Sequence, residues 1–131
     1  MNFTRAIYNT LKAQIAPAVL VYVSAENVTG PYYVMSPVSD QEQPATLCEV
    51  QNLAGEIILQ FTYTGTTGAG GTEDKLGVLK TLVRAIIGDI VSSGETFEVW
   101  QNVTSGIRPL GGVALKTWDA VFESRLSWRK K

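Results

Sequence analysis

The chain has 131 residues, with 12 acidic and 11 basic side chains, no histidine and one cysteine. This length fits one domain, and a hydrophobic content of 45% with 18% charged residues is typical of a globular protein. The composition excludes histidine-based acid–base catalysis, Cys/His zinc sites and a disulfide framework, and the net charge of −1 argues against binding nucleic acid by bulk positive charge. The apolar run 16–23 is short and contains Pro17, so neither a signal peptide nor a membrane span is expected.

Three segments in the first part of the chain have the periodicity of regular structure. Apolar side chains recur every four residues from Phe3 to Ile15, which predicts an amphipathic helix that ends before Pro17. The β-branched run 19–23 and the segment 32–35 predict two short strands, which could pair as a hairpin.

The middle of the chain changes from a polar stretch to a strongly alternating one. Residues 39–55 are polar and contain Pro44 and Gly55, so they predict mainly a long exposed loop. Residues 56–63 alternate in polarity and predict a strand with one apolar face. That face consists of Ile57, Leu59, Phe61 and Tyr63.

The second half predicts a long helix, a short strand and a long strand, with loops between them. The glycine-rich segment 64–71 predicts a flexible loop, and Thr72 is a suitable N-cap for a helix that runs to about Val91. Its buried stripe would consist of Leu76, Leu79, Val83, Ile86, Ile87 and Ile90. A strand over 97–101 and a loop over 102–114 follow, and the clear alternation of 118–128 predicts the long closing strand.

Two patterns have part of a chemical motif and lack the rest. Gly65, Gly70 and Thr72 have the spacing of a phosphate-binding loop, but Gly71 occupies the position of the lysine that such a loop needs. Asp119 and Glu123 would stand about 13 Å apart on one face of a strand, beyond the roughly 5–10 Å of paired catalytic carboxylates. The sequence therefore predicts no catalytic residue, no metal ligand and no cofactor.

In chain order, these elements predict a single α+β domain over residues 1–131. We expect an antiparallel-rich mixed sheet of about four to five strands with two helices packed on one face. The loops at about 39–55, 64–71 and 102–114 are long for a compact domain, and long loops are usually functional. Sheet edges must be covered or paired, and another subunit can pair them. These features favour an assembly protein over an enzyme.

The order of elements also has a counterpart in a known family. An N-terminal helix leads to a strand, and a second strand starts at Gly30-Pro31-Tyr32-Tyr33-Val34. The strand at 57–63 leads through a loop into a long helix with an acidic first turn, and a closing strand ends near a basic C-terminus. Over nearly its whole length the chain thus resembles the tail terminator, or tail completion, proteins of long-tailed bacteriophages.

The resemblance implies a function in virion assembly. Such proteins form a hexameric ring that caps the head-proximal end of the tail tube, stops its polymerisation and offers a surface to the head connector. The partners would be further copies of the chain, the tail tube protein and the head–tail connector or neck protein, with DNA only passing through the lumen and no membrane involved. The protein would belong to the virion tail, after assembly in the cytoplasm of the host bacterium.

The resemblance also implies where the contacts lie. The three loops would reach the neighbouring subunit, the tube or the connector, through the candidate interface residues Asp40, Glu42, Gln43, Thr66, Thr67 and Arg108. The basic end, expected to be mobile, would contribute tail contacts through Arg129, Lys130 and Lys131.

Three alternatives remain open from the sequence. A head-completion or neck connector protein would share the same ring assembly. A small enzyme that relies on carboxylates or backbone groups would need convergent acids with shifted pKa values. A ligand-binding α+β module would need a closed apolar cavity.

The near-zero net charge is compatible with a lumen through which DNA passes without binding.

Overall fold

A computed structural model describes residues 3–23, 31–44, 52–65, 68–112 and 118–131, and within them the chain forms two helices and seven strands. The helices are α1 (Phe3–Ile15) and α2 (Gly68–Arg84). The strands are β1 (Leu20–Tyr22), β2 (Tyr32–Pro44), β3 (Asn52–Gly65), β4 (Gly88–Ser92), β5 (Glu95–Thr104), β6 (Arg108–Gly112) and β7 (Trp118–Lys130). The fold is therefore α+β, as the sequence predicted.

All seven strands belong to one curled sheet. Its order is β1-β2-β3-β7-β5-β4, and β6 also pairs with β7. The described pairs are antiparallel except β1–β2, which is parallel, so the hairpin expected for these two strands was wrong. β5 and β6 follow one another along the same side of β7, separated by residues 105–107. The sheet therefore has six strand positions, one of which is occupied by β5 and β6 in succession.

Both helices pack on the same face of this sheet. The Phe3 ring of α1 stacks on Trp128 of β7, with centroids 4.8 Å apart, and meets Phe97 of β5 edge-on at 5.7 Å. The Tyr33 hydroxyl of β2 donates a hydrogen bond of 2.7 Å to the Lys75 carbonyl of α2. Helix and strand residues thus form one continuous core. Burial of each large apolar side chain there contributes about 1.5–3 kcal/mol.

The strand count exceeds the predicted four to five, partly because the predicted helix over 73–91 ends early. α2 ends at Arg84, and the next residues form strand β4. Gly88 has a φ of 82°, a left-handed value that an α-helix does not accept. Ile90 and Val91, which follow, prefer an extended backbone. Ile86 and Ile90 are buried, as the helical pattern predicted. However, Ile86 precedes β4 and Ile90 lies within it.

The predicted loop over 39–55 is for the most part strand, which is a second correction. β2 continues to Pro44 and β3 begins at Asn52, so the two form a long antiparallel pair. A register shift between Pro37 and Ser39 interrupts the alternation of side chains. A strand with a bulge loses its period of two, and the polar composition then resembles that of a loop. Residues 45–51, with Cys48, lie outside the described residues.

The other two predicted loops are also shorter than expected. In the segment 64–71, the first two residues end β3 and the last four begin α2, while Thr66 and Thr67 lie outside the described residues. In the segment 102–114, β5 ends at residue 104 and β6 covers residues 108–112, while residues 113 and 114 are not described. The glycines of both segments therefore lie mainly within or beside regular elements.

Thr72 is not the N-cap of α2, because the helix begins four residues earlier. Its side chain is buried inside the helix, and its hydroxyl donates a hydrogen bond of 2.8 Å to the Gly68 carbonyl. The first turn of α2 contains no acid, so Glu73 and Asp74 lie one turn further along than predicted.

Candidate functional site: the edges and outer face of the sheet

The sheet face opposite the helices carries ion pairs and hydrogen bonds. Arg125 of β7 contacts Glu56 of β3, with Nε and Oε1 3.4 Å apart. The Thr64 hydroxyl donates a hydrogen bond of 2.8 Å to Oδ1 of Asp119. The Glu123 backbone N–H donates to Oγ of Ser105 at 2.8 Å. Asp119 and Glu123 thus have separate structural surroundings, in keeping with the spacing that argued against a catalytic pair.

Two shallow grooves cross this outer face. One, of about 190 Å³, is bordered by Ile58, Val103 and Arg125. The other, of about 250 Å³, is bordered by Gly55 and Trp100. Trp100 stands at the register shift of β5 and is 61% exposed, whereas Trp128 is in the core. An exposed tryptophan beside a groove is typical of a protein–protein contact.

The three basic residues at the end of β7 are held by acids of the β4–β5 hairpin. Arg129 forms an ion pair with Glu98, Lys130 Nζ lies 2.9 Å from Oε1 of Glu95, and Lys131 Nζ lies 3.0 Å from Oδ1 of Asp89. The backbone N–H of Lys131 donates to the Thr96 carbonyl at 2.9 Å. The basic end is therefore fixed to the sheet, contrary to the mobile end expected from the sequence.

Glu95 shows the electrostatic effect of this arrangement. The hydrogen bond from the Lys130 ammonium stabilises the charged carboxylate and lowers the pKa of Glu95. The ion pairs at this end of the molecule thus serve the hairpin first, and any contact of these cations with a partner competes with them.

The outer edge of β4 has no neighbour among the described strands. The two-residue turn Ser93-Gly94 places Ser92 opposite Glu95 as the hydrogen-bonded pair that closes the hairpin. Because bonding alternates along an antiparallel ladder, the backbone groups of Asp89 and Val91 point away from β5. Val91 is 67% exposed and Ile87, just before the strand, is 59% exposed. Among the described strands none pairs with these backbone groups, while helix α1 lies close to β4 through the part of its surface that contains Thr10 and Gln14.

The outer half of β2, residues 37–44, pairs with β3 on one side and with no described strand on the other. β1 pairs with residues 33–35 alone, and the Tyr33 N–H donates to the Val19 carbonyl. Following the alternation through the register shift, Ser39, Gln41 and Gln43 direct their backbone groups to β3. Asp40 and Glu42 therefore direct theirs to the free edge.

Single contacts or a proline mark the remaining edges of the described strands. At β1, the Tyr8 hydroxyl of α1 donates a hydrogen bond of 3.0 Å to the Leu20 carbonyl, and its ring lies 5.4 Å from that of Tyr22. The part of β5 that extends past its pairing with β4 contacts the end of α2, because the Asn102 side chain donates hydrogen bonds to the Val83 and Ile86 carbonyls. At the free side of β6, Pro109 has no N–H to donate.

A third groove, of about 330 Å³, lies between α2 and the start of β2 and is bordered by Tyr33 and Tyr63. The two rings are 4.6 Å apart. Burial, with a smaller contribution from Tyr63, raises the pKa of Tyr33 to about 12, and burial also raises the pKa of Tyr63. Both hydroxyls thus stay neutral at ordinary pH, and the groove is open to solvent, unlike the closed cavity that a ligand-binding module would need.

The candidate interface residues are only partly brought together. Asp40, Glu42 and Gln43 lie on β2, the first two with backbone groups at the open edge, while Arg108 is exposed at the start of β6. Sequence reasoning missed the β4 edge, because its residues continued the helical pattern. Within the described ranges, no three His, Cys, Asp or Glu side chains come together as a metal site. Nor does any described helix have the length and apolarity to cross a membrane.

Comparison with known proteins gives information on the fold alone. No family model matches the chain, and no curated protein is similar to it. Twelve chains of solved structures match. One of them, which bears only a sequence identifier as its name, has a TM-score of 0.58 at 12% identity over 98% of this chain and 90% of that chain. At this identity the similarity indicates a shared architecture that extends over the whole of the chain.

Proposed function

We propose that this chain is a structural protein of a phage tail, which forms a ring at the head-proximal end of the tail tube. The ring stops polymerisation of the tube and provides the attachment surface for the head connector. The observation that carries the proposal is that two unlike sheet edges, β4 and the outer half of β2, have no neighbouring strand within the described part of the chain. Unlike edges favour head-to-tail association, which closes into a ring when the rotation permits. The order of elements that resembles tail terminators supplies the place of this ring in the virion.

The proposed mechanism is binding without chemistry. Six copies would surround a lumen through which DNA passes, and the faces of the ring would contact the tube protein on one side and the connector or neck protein on the other. Asp40, Glu42 and Arg108 are assigned to contacts between proteins, and the exposed Trp100 is added to them. Arg129, Lys130 and Lys131 keep a proposed role at the tail, although their first partners are acids of the same subunit.

The test is whether the protein ends a growing tube. Purified tail tube protein is allowed to polymerise with and without this chain, and the tubes are examined by electron microscopy. We expect shorter tubes with a ring at one end and a tube length that falls as more of the protein is added. A folded protein of similar size and charge serves as the control. Unchanged tube lengths with bare ends would overturn the proposal, and binding to connector rings without binding to tube ends would identify a head-completion protein instead.

A further inference from the structure

We propose that the groove between α2 and the start of β2 binds a segment of a partner protein in which a large apolar side chain stands next to a carboxylate. The apolar side chain would enter the groove, and the carboxylate would meet Lys75 of α2 and the Tyr63 hydroxyl of β3. The inference goes beyond the proposed function, because it adds a contact site and the chemistry of its partner and stands on the groove alone.

The groove has an apolar base and an apolar rim. Ile15, Tyr33 and Tyr63 at its base belong to the core, while Val78 of α2 is 54% exposed beside it. Small-molecule pockets usually hold at least about 300 Å³ and enclose most of their ligand. This groove has about 330 Å³ and is open to solvent, so it suits an apolar side chain that a protein segment inserts.

The charged side chain that borders the groove is a cation. Lys75 is exposed on α2, three residues before Val78, and no described acid forms an ion pair with it. The acids Glu73 and Asp74 belong to the same helix but do not border the groove. On the other side, the segment 3–23, which forms α1 and β1, contains two bases and no acid. Charge complementarity therefore favours an acidic partner segment.

The Tyr63 hydroxyl is a donor that no described residue accepts from. Tyr63 is 6% exposed, and its hydroxyl keeps contact with solvent, whereas the Tyr33 hydroxyl beside it already donates to the Lys75 carbonyl. Residue 65 is glycine, and a Cβ there would stand 3.4 Å from the Tyr63 hydroxyl oxygen. Burial raises the pKa of Tyr63, so this hydroxyl keeps its proton at ordinary pH.

A carboxylate would satisfy both polar groups. It accepts a hydrogen bond from the phenol and pairs with the ammonium, and hydrogen bonds to a charged group are roughly twice as strong as those between neutral groups. The apolar side chain next to it would leave water for the aromatic base of the groove. The two parts of the segment thus bind more tightly together than either does alone.

Short blocked peptides test this chemistry directly. The first has leucine followed by aspartate between glycines, the second has asparagine in place of the aspartate, and the third has alanine in place of the leucine. Each is titrated into the isotope-labelled full chain, and nuclear magnetic resonance follows the amides of residues 75–78 and the Tyr63 ring. Hexanoate, a free acid with an apolar tail, represents a small-molecule source of the same chemistry.

Three variants test the residues of the groove. Lys75→Gln removes the charge, Tyr63→Phe removes the hydroxyl and keeps the ring, and Ala18→Leu fills the groove from its exposed side. Lys80→Gln is the matched control, because it removes a charge from α2 outside the groove. Since no described residue accepts from the Tyr63 hydroxyl, Tyr63→Phe should keep the wild-type midpoint of urea unfolding, which separates binding from folding.

We expect the peptide with leucine and aspartate to bind, and the other two peptides to bind at least about tenfold more weakly. Lys75→Gln, Tyr63→Phe and Ala18→Leu should each weaken this binding at least about fivefold, and Lys80→Gln should leave it unchanged. Equal binding of the aspartate and asparagine peptides, or wild-type binding by Lys75→Gln, would show that the site is wrong. Tighter binding of hexanoate than of the peptide would contradict the assignment to a protein segment.

The outcomes also separate this site from the proposed function. If the peptide binds and the chain does not shorten tail tubes, the site stands and the ring function fails. If the chain shortens tail tubes and the peptide does not bind, the ring function stands and the site is wrong.

Discussion

At the scale of single residues, Gly65 is present for steric reasons. A Cβ at this position would lie 2.6 Å from Cε2 of Tyr63, whereas a Cβ at Gly77 in α2 would meet nothing within 4 Å. The Tyr63 ring is buried against Tyr33, and a side chain at residue 65 would force this ring to shift. The end of β3 therefore depends on the absence of a side chain.

We expect Gly65→Ala to lower the free energy of unfolding by about 1–3 kcal/mol, because the buried ring must shift. Gly77→Ala, the matched control, should raise it by up to about 1 kcal/mol, since alanine has the higher helix propensity. Urea unfolding of both variants measures the difference. Equal effects of the two substitutions would contradict this account of Gly65.

A second prediction concerns the pH dependence that Tyr33 introduces. Its pKa is raised to about 12, so the unfolded chain loses this proton at lower pH than the folded one. The contribution of Tyr33 is therefore complete below about pH 10 and is lost as the pH rises from about 10 to 12, by an amount on the order of 2 kcal/mol. In Tyr33→Phe the free energy of unfolding should fall less steeply over this range. An unchanged slope in Tyr33→Phe would contradict this role of Tyr33.

At the scale of elements, one amide connects a helix end to two strands. Nδ2 of Asn102 donates to the carbonyls of Val83 and Ile86, at 2.8 and 2.9 Å, and Oδ1 accepts a hydrogen bond of 2.7 Å from the Ser124 hydroxyl. The last carbonyls of a helix have no partner within it, and Asn102 of β5 provides one for the Val83 carbonyl of α2 and one for the Ile86 carbonyl just beyond the helix. This contact fixes the point at which the chain leaves the helix and begins β4.

The β4–β5 turn gives the prediction at this scale. Ser93 and Gly94 have φ values of 53° and 78°, which are the left-handed values of a type I′ turn. Gly94→Ala should lower the free energy of unfolding by about 1 kcal/mol, and Ser93→Asn should raise it by roughly 0.5 kcal/mol, because asparagine accepts this conformation. Thermal unfolding measures both. Destabilisation by Ser93→Asn would show that the hydroxyl has a role besides its backbone angle.

The elements that the sequence predicted best are those whose apolar periodicity fits only one type of secondary structure. The sequence of β7 and of the second half of β3 alternates without interruption, and their predicted inward side chains are buried except that of Trp118, which is half-buried. At the end of α2, Ile86 and Ile90 satisfy a helix and a strand equally, so the pattern could not locate the boundary. The first part of β2 was predicted as a strand, but its outer half was missed because the register shift breaks the alternation. The parallel pairing of β1 depends on contacts that no local pattern contains.

At the scale of the whole molecule, the two helices and the sheet share one core. Phe3, Phe97 and Trp128 come from α1, β5 and β7, and their rings are in mutual contact. We expect Phe3→Ala to lower the free energy of unfolding by about 3–5 kcal/mol and to keep the unfolding cooperative. Transitions followed by tryptophan fluorescence and by far-ultraviolet circular dichroism should therefore coincide. Separate transitions would mean that α1 detaches first, and Val78→Ala, at an exposed site on α2, is the control.

The candidate site was less accessible to sequence reasoning than the fold. Asp40 and Glu42 were selected as loop residues, and their position at an open edge follows from strand pairings over a distance in sequence. The basic end was expected to be free because a charge run shows nothing of the acids that meet it in space. Edges and ion pairs are products of the complete sheet, so they become visible only once its order is known.

The hydrogen bond from the Tyr8 hydroxyl to the Leu20 carbonyl limits the number of edges through which one subunit can be joined to others. With the β4 and β2 edges as its two proposed reactive ends, the subunit is a bifunctional monomer, and such monomers give rings or linear chains. An unoccupied β1 edge would raise the valence to three. Monomers of valence three branch, and branched growth ends in a gel without a defined size. The Tyr8 hydroxyl thus helps to limit the assembly to a defined number of subunits.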